Sequence, residues 1–237
     1  MIVAATPEQP PLLRLTDVGR VFDAGKIVAL RDITLSIYAG DVIAITGPSG
    51  SGKTTMLNIM AGLEQPSAGR VSIGGVESPT AETWTRLRAT RIGLIFQEFN
   101  LLPTLTAIEN VEAAMFGNVR SAAQRRRRAL ERLDEVAIAY CADRHPNELS
   151  AGERRRVGIA RSLANDPEIL LADEPTSNLD TANAGTVLDL LVRLQRRRGM
   201  AMVIVTHDPA AIARCTRCLR IIDGRIAASF EGEADTG

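Results

Sequence analysis

Aromatic side chains are scarce in this chain, 3% of its residues, so it lacks the material for the stacked platforms that grip single-stranded nucleic acid. Neither sign of charge is in excess. The 28 basic residues stand against 28 acidic ones, which argues against a nucleic-acid surface spread over the whole domain. Long apolar runs are missing too, and none approaches the roughly 18 residues that a membrane-crossing helix needs. Residues 1–11 have neither a basic start nor an apolar core, so no secretory signal is expected and the chain is expected in the cytosol. Cysteine is limited to Cys141, Cys215 and Cys218. The last two have the C-x-x-C spacing of redox and zinc sites, but His145 and His207 are the only histidines available to complete a zinc ligand set. These cysteines are therefore read as ordinary helix residues. With 237 residues, 45% of them hydrophobic, the chain can bury one large core or two small ones.

What is present is organised around Gly47, Pro48, Ser49, Gly50, Ser51, Gly52, Lys53, Thr54 and Thr55. This stretch fits G-x-x-x-x-G-K-[ST], and its context agrees with the match. Residues 41–46 are an apolar, β-branched run that reads as a buried strand, and Met56, Leu57, Met60, Ala61 and Leu63 then recur at helical spacing. Glycines let the backbone turn tightly enough to aim successive N–H groups at phosphate oxygens, and the helix start adds partial positive charge. Lys53 is expected to bridge the outer phosphates of a nucleoside triphosphate, and Thr54 to ligate Mg²⁺.

Elsewhere the pattern alternates between strands and helices. Residues 12–22 and 27–37 alternate apolar and polar, as strands of an antiparallel sheet with one wet face do. Strands are also expected at 70–76, 92–96, 168–172 and 202–206, and helices at 80–90, 150–164 and around 186–194. Between 101 and 149 the spacing is helical. The run Arg125 to Arg128 there is read as a solvated face. Asp223-Gly224 joins a hairpin at 221–226 through a type I′ turn.

The strand at 168–172 ends in Asp173 and Glu174. An acid at the end of a buried strand is the natural second anchor for Mg²⁺ beside a phosphate loop, and Glu174 can orient or deprotonate the attacking water. The bland alternative has the paired acids cap the turn at Pro175. His207 and Gln97 end other strands in the same way, and parallel sheets put ligands beyond the carboxyl ends of their strands.

Leu149-Ser150-Ala151-Gly152-Glu153, followed by Asp173 to Asp180, resembles the nucleotide-binding domain of an ABC transporter. The resemblance covers the chain from Leu12 to about Ile226. It implies an α/β P-loop NTPase fold of ABC type, a mixed central sheet with an antiparallel β subdomain and a helical subdomain at about 100–160. A single ATPase domain at 12–230 is implied, with terminal tails at 1–11 and 231–237. It further implies that Phe22 stacks on adenine, that Gln97 lies near Mg²⁺ and the membrane partner, and that Asp173 is a metal ligand. Glu174 and His207 then serve catalysis with Lys53 and Gln97. Ser150, Ala151, Gly152 and Glu153 form the signature, and Asp180 ends the D-loop. In the family two such domains pair head to tail, each signature closing over the other's ATP, and they drive transmembrane permease subunits from the inner face of the membrane without contacting nucleic acid. Ala151 stands where the family usually has glycine. If the position needs positive φ, alanine costs on the order of 1 kcal/mol.

Residues 96–111 are similar to the ATPases of the lipoprotein-releasing and macrolide-export group, which implies export or extraction of a substrate. The alternatives carried with that reading are a non-transport complex of the cell-division type and an amino-acid importer subunit. A soluble ABC protein of DNA repair or translation is disfavoured by the lack of a second ATPase domain, coiled coil or zinc module.

Overall fold

The computed structural model describes residues 9–231, so the tails expected at 1–11 and 231–237 lie mostly outside the described residues. In chain order the elements are β1 (Leu13–Phe22), β2 (Ile27–Ile37), β3 (Val42–Thr46), α1 (Lys53–Met60), β4 (Ala68–Ile73), β5 (Val76–Glu77), α2 (Ala81–Thr90) and β6 (Ile92–Ile95). There follow α3 (Ala107–Ala113), α4 (Ala122–Glu135), α5 (Ala151–Ser162), β7 (Ile169–Asp173), α6 (Thr181–Arg198), β8 (Ala201–Val205), α7 (Pro209–Ile212), β9 (Arg217–Ile222) and β10 (Arg225–Glu231).

The strands form a four-stranded antiparallel sheet in the order β2-β1-β4-β5 and a six-stranded sheet in the order β10-β9-β3-β8-β7-β6. The larger sheet is parallel from β9 to β6, and only β10 runs against its neighbour. Side-chain alternation splits the central strands between two cores. Val42 and Ala44 of β3, Leu170 and Ala172 of β7, and Met202 and Ile204 of β8 face α3 to α6. Ile43 and Ile45, Ile169 and Leu171, and Val203 and Val205 face α1 and the antiparallel sheet. A parallel strand buried on both sides has to be apolar at every position, which is why these runs carry no polar alternation. Among them Ile43, Ile45, Leu170, Leu171 and Val203 are fully buried, each worth about 1.5–3 kcal/mol of transfer free energy.

Helix starts are set by their caps. Thr80, Thr106, Ser121, Ser150 and Asp180 each accept an amide of their own first turn. The hairpin between β9 and β10 turns at Asp223 (φ 47) and Gly224 (φ 75), both left-handed as a type I′ turn requires. The arginine run lies on α4, with Arg126, Arg127 and Arg128 exposed and Arg126 paired to Glu112 and Asp143. The cysteine expectation is corrected. None of the three lies in an α-helix: Cys141 ends a 3₁₀ turn, Cys215 follows α7 and Cys218 lies on β9. All three thiols are free, and burial pushes that of Cys215 up to about 12.

Candidate nucleotide site

Thr46 ends β3, and the backbone then loops through Gly47 and Gly52 into α1. Gly47 has φ 143 and Gly52 φ 105, conformations that exclude ordinary side chains. Space forbids them as well: a Cβ on Gly47 would collide with the Ile221 carbonyl, and one on Gly52 with that of Ala29. The loop is thus wedged between β9 and β2. Gly52 provides no side-chain cap to α1, which leaves the first-turn amides of that helix free at the loop. Lys53 Nζ folds back over the loop, 2.9 Å from both the Gly47 and Pro48 carbonyl oxygens.

The strand order brings the end of β7 to the same edge, with only β8 between it and β3. There Thr54 Oγ1 donates to Asp173 Oδ2 at 3.1 Å. Burial holds the Asp173 carboxyl above its ordinary value, and the charge of Glu174 adds to the rise, while the Thr54 bond and Lys53 pull it down. A hydroxyl and a carboxylate oxygen at this separation suit neighbouring ligands of an octahedral Mg²⁺, which lie about 3 Å apart when each bond is about 2.1 Å. Among the described residues no cluster of three His, Cys, Asp or Glu side chains could hold a metal by itself, in keeping with a cation completed by phosphate and water.

Glu174 has φ 45, and its N–H bonds the Val205 carbonyl at 2.8 Å. Its Oε1 lies 2.9 Å from His207 Nδ1, and the two side chains differ in access, 14% against 83% exposed. The carboxylate therefore serves more than the turn at Pro175. Among the described residues no hydrogen bond joins Gln97 to the Thr54–Asp173 pair. Its side chain is exposed and makes no hydrogen bond among the described residues, and its carbonyl is what the fold holds, through Arg155 at 2.8 Å and Ser177 Oγ at 3.4 Å. Phe22 ends β1 with one ring face already covered by the Arg20 guanidinium, 4.4 Å from the ring centre.

The signature stretch lies at the start of α5, on the helical side of the molecule. Ser150 Oγ accepts the Glu153 amide at 3.2 Å, and Glu153 Oε2 accepts the Ser150 amide at 2.7 Å. Tyr140 donates to Glu153 Oε1 at 2.9 Å. The Ser150 bonds, then that of Tyr140, hold the Glu153 carboxyl below its ordinary value. Ala151 is the first residue of α5 and is not among the positive-φ residues, so the cost expected for alanine there does not arise. No hydrogen bond or ion pair joins Ser150 to Glu153 with the Gly47–Thr55 loop among the described residues. Asp180 caps α6, accepting from the Asn183 amide at 3.0 Å and its side chain at 2.6 Å.

A family model described as ABC transporter matches residues 30–177. The chain belongs to the ABC transporter family. An ABC transporter ATP-binding protein of Thermotoga maritima is 42% identical to this cassette over 219 residues, 91% of this chain and 93% of that protein. The macrolide export ATP-binding/permease protein MacB of Burkholderia pseudomallei is 44% identical over 220 residues, 91% of this chain but 34% of that protein, so the cassette spans about a third of that relative. Among solved structures, a dimeric post-hydrolysis state of the ATP-binding cassette MJ0796 of Methanocaldococcus jannaschii, bound to ADP and Pi, superposes with a TM-score of 0.85 at 38% identity. It covers 92% of this chain and 98% of that one. The cassette is accordingly an ABC-type ATPase, with ATP as substrate and Mg²⁺ as its metal, and dimeric assembly is a property of its structural class.

Two buried residues had escaped the sequence reading. Asn110 is fully buried and bonds the Leu102 amide and the carbonyls of Leu102, Leu105 and Thr106, fixing the loop beyond Gln97. Arg155 is 1% exposed and touches both the Gln97 and Ser177 loops. The available signal was its position four residues before Ile159 on the buried face of α5.

Proposed function

We propose that two copies of this cassette close head to tail on ATP and hydrolyse it to drive a transmembrane permease in export or extraction of a substrate. The observation that carries the reading is Thr54 Oγ1 at 3.1 Å from Asp173 Oδ2 beside the Lys53 loop, with Glu174 and His207 at the same sheet edge. In this assignment the Gly47–Thr55 amides and Lys53 compensate phosphate charge, and Phe22 offers its free ring face to adenine. Thr54 and Asp173, joined by Gln97 when its loop closes, hold Mg²⁺, which supplies neutralisation of charge developing on the outer phosphates. Glu174 accepts the proton of the attacking water, and His207 fixes its carboxylate and reaches the γ-phosphate.

That no hydrogen bond or ion pair joins the Ser150–Glu153 turn to the phosphate loop among the described residues supports a composite site. Ser150, Ala151, Gly152 and Glu153 of one copy cover the ATP of the other, with Asp180 at the seam. In the chain read as one domain at 12–230, the segment at about 100–160 is then the subdomain that swings on closure. A groove of about 400 Å³ beside the Gln97 loop, lined by Gly93, Asn100, Ala114, Arg161 and Asn165 among others, is a suitable seat for a cytoplasmic segment of the permease. The likeness to a macrolide export protein supports the outward direction.

Glu174→Gln tests the reading. The variant is expected to bind ATP as the wild type does, to release phosphate at less than about a hundredth of its rate, and to elute with ATP as a stable dimer in light scattering. Wild-type phosphate release by this variant, or a monomer at saturating ATP, would defeat it.

A further inference from the structure

The helix that carries the signature also carries the most deeply buried charge among the described residues. Arg155, on α5, is 1% exposed. The other buried arginine, Arg132, is matched by Glu135 and Asp166, but Arg155 has no carboxylate within ion-pair distance among the described residues. Its guanidinium is compensated by carbonyl dipoles: Phe96 O at 2.6 Å, Gln97 O at 2.8 Å and Ser177 O at 3.4 Å, with Ser177 Oγ at 3.5 Å. The Phe99 ring lies 4.9 Å away, and Nε has no partner. An unmatched buried cation is costly to a fold, and burial draws this guanidinium's pKa down, though arginine stays charged. A neutral side chain would have filled the space at less expense.

The acceptors identify what the charge holds together. Phe96 and Gln97 follow β6, and Ser177 lies three residues after Glu174, whose carbonyl accepts both the Ser177 amide at 3.0 Å and its hydroxyl at 2.9 Å. The neighbouring arginines reach elsewhere. Arg154 bonds the Pro146 and Leu149 carbonyls and Arg156 that of Val136, while Arg161 holds Phe99 and Asn100 nearly two turns further along. Among the described residues, Arg155 alone spans by hydrogen bonds from the signature helix to both the Gln97 and Glu174 loops.

We infer that Arg155 is a positioning residue that couples the two ATP sites of the dimer. This rests on the composite-site reading: the α5 end of a protomer serves the partner's ATP, while Gln97 and Glu174 of that protomer serve its own. A shift of α5 on meeting the partner's triphosphate is passed by a rigid, multidentate guanidinium to the backbone of both loops, so that filling one site completes the other.

The test is the ATP dependence of phosphate release by the purified full chain, alongside trinitrophenyl-ATP affinity at protein concentrations that keep it monomeric. Wild type is expected to show a Hill coefficient well above 1, approaching the number of sites, about 2. Arg155→Gln is expected to lower kcat about tenfold and bring the Hill coefficient to about 1, with trinitrophenyl-ATP affinity held within about twofold. Arg155→Lys, which keeps the charge but not the fork, should fall between. Undiminished cooperativity in Arg155→Gln overturns the inference, as does a change confined to nucleotide affinity. A wild type without cooperativity overturns it as well, and light scattering of Glu174→Gln with ATP then tells whether the dimer reading beneath it also fails. Should Arg155→Gln fail to fold, Arg155→Lys carries the test, because it keeps the charge and loses the fork, and an undiminished Hill coefficient in it overturns the inference.

Discussion

Two helices of the cassette start at functional stretches and start in opposite ways. α1 begins after Gly52, a left-handed residue with no side chain to offer, so its first amides are left open. α5 begins after Ser150 in a closed capping box, with Glu153 returning to the Ser150 amide and Tyr140 bound to the same carboxylate. The first start forgoes local stability and gains an anion seat. The second is satisfied by its own chain, and Glu153 sets a negative charge against its dipole. On the proposed assignment, affinity for triphosphate resides in the α1 half, and the α5 half engages only when a phosphate already neutralised by lysine and metal is brought to it. Such an asymmetry suits a switch, because closure depends on the nucleotide being loaded first.

Substitutions at the two starts probe that contrast. The largest effect is expected at the open one. Lys53→Ala removes charge compensation from the loop and should reduce phosphate release by about 10²-fold or more; residual turnover near wild type would deprive the α1 start of its assigned role. Asp173→Asn should be equally silent in hydrolysis yet melt higher in the absence of nucleotide. Burial raises the Asp173 pKa, so the folded chain holds that proton more tightly than the unfolded one, and stability is lost as pH climbs through the raised value. The gain, about 1–3 °C near pH 7.5, should vanish at acidic pH, where both chains are neutral at this position. A lower midpoint near neutral pH would mean that the Thr54 bond outweighs desolvation.

At the capped start the effects are smaller. Ser150→Ala removes the cap and should cost about 1 kcal/mol, read as a drop of about 2–4 °C in the melting midpoint. An unchanged midpoint would mean that Glu153 suffices alone. The least effect is expected of Ala151→Gly, which restores the commoner family residue. Because the position is helical, glycine brings only its own helix penalty, under about 1 kcal/mol, and phosphate release should stay within about twofold. A large rise in turnover would show that alanine restrains the turn.

The sequence made the open start legible and the closed one only in part. Gly47, Gly52, Lys53 and Thr54 declare themselves by spacing, and Asp173, Glu174 and His207 by ending apolar runs, because parallel strands deliver their carboxyl ends to one edge. The backbone state of Ala151 was hidden, since the penalty for alanine depends on a φ that spacing does not reveal. The cysteines were misread for a long-range reason: β9 exists because Arg217 to Arg220 pair with Ile43 to Thr46, far away in sequence. Arg155 was obscured by its neighbours, for Arg154 and Arg156 make the run look solvated while helical phase turns the middle arginine inward.

The support of the phosphate loop by its latest neighbours has a consequence for biosynthesis. Gly47 is pressed against the Ile221 carbonyl, and the Gly224 amide donates to the Ser51 carbonyl at 3.1 Å. A nascent chain that has left the ribosome only as far as α7 holds every functional side chain discussed above, yet its β3 strand still has one bare flank. Completion of the phosphate loop's scaffold thus waits on synthesis of the β9–β10 hairpin.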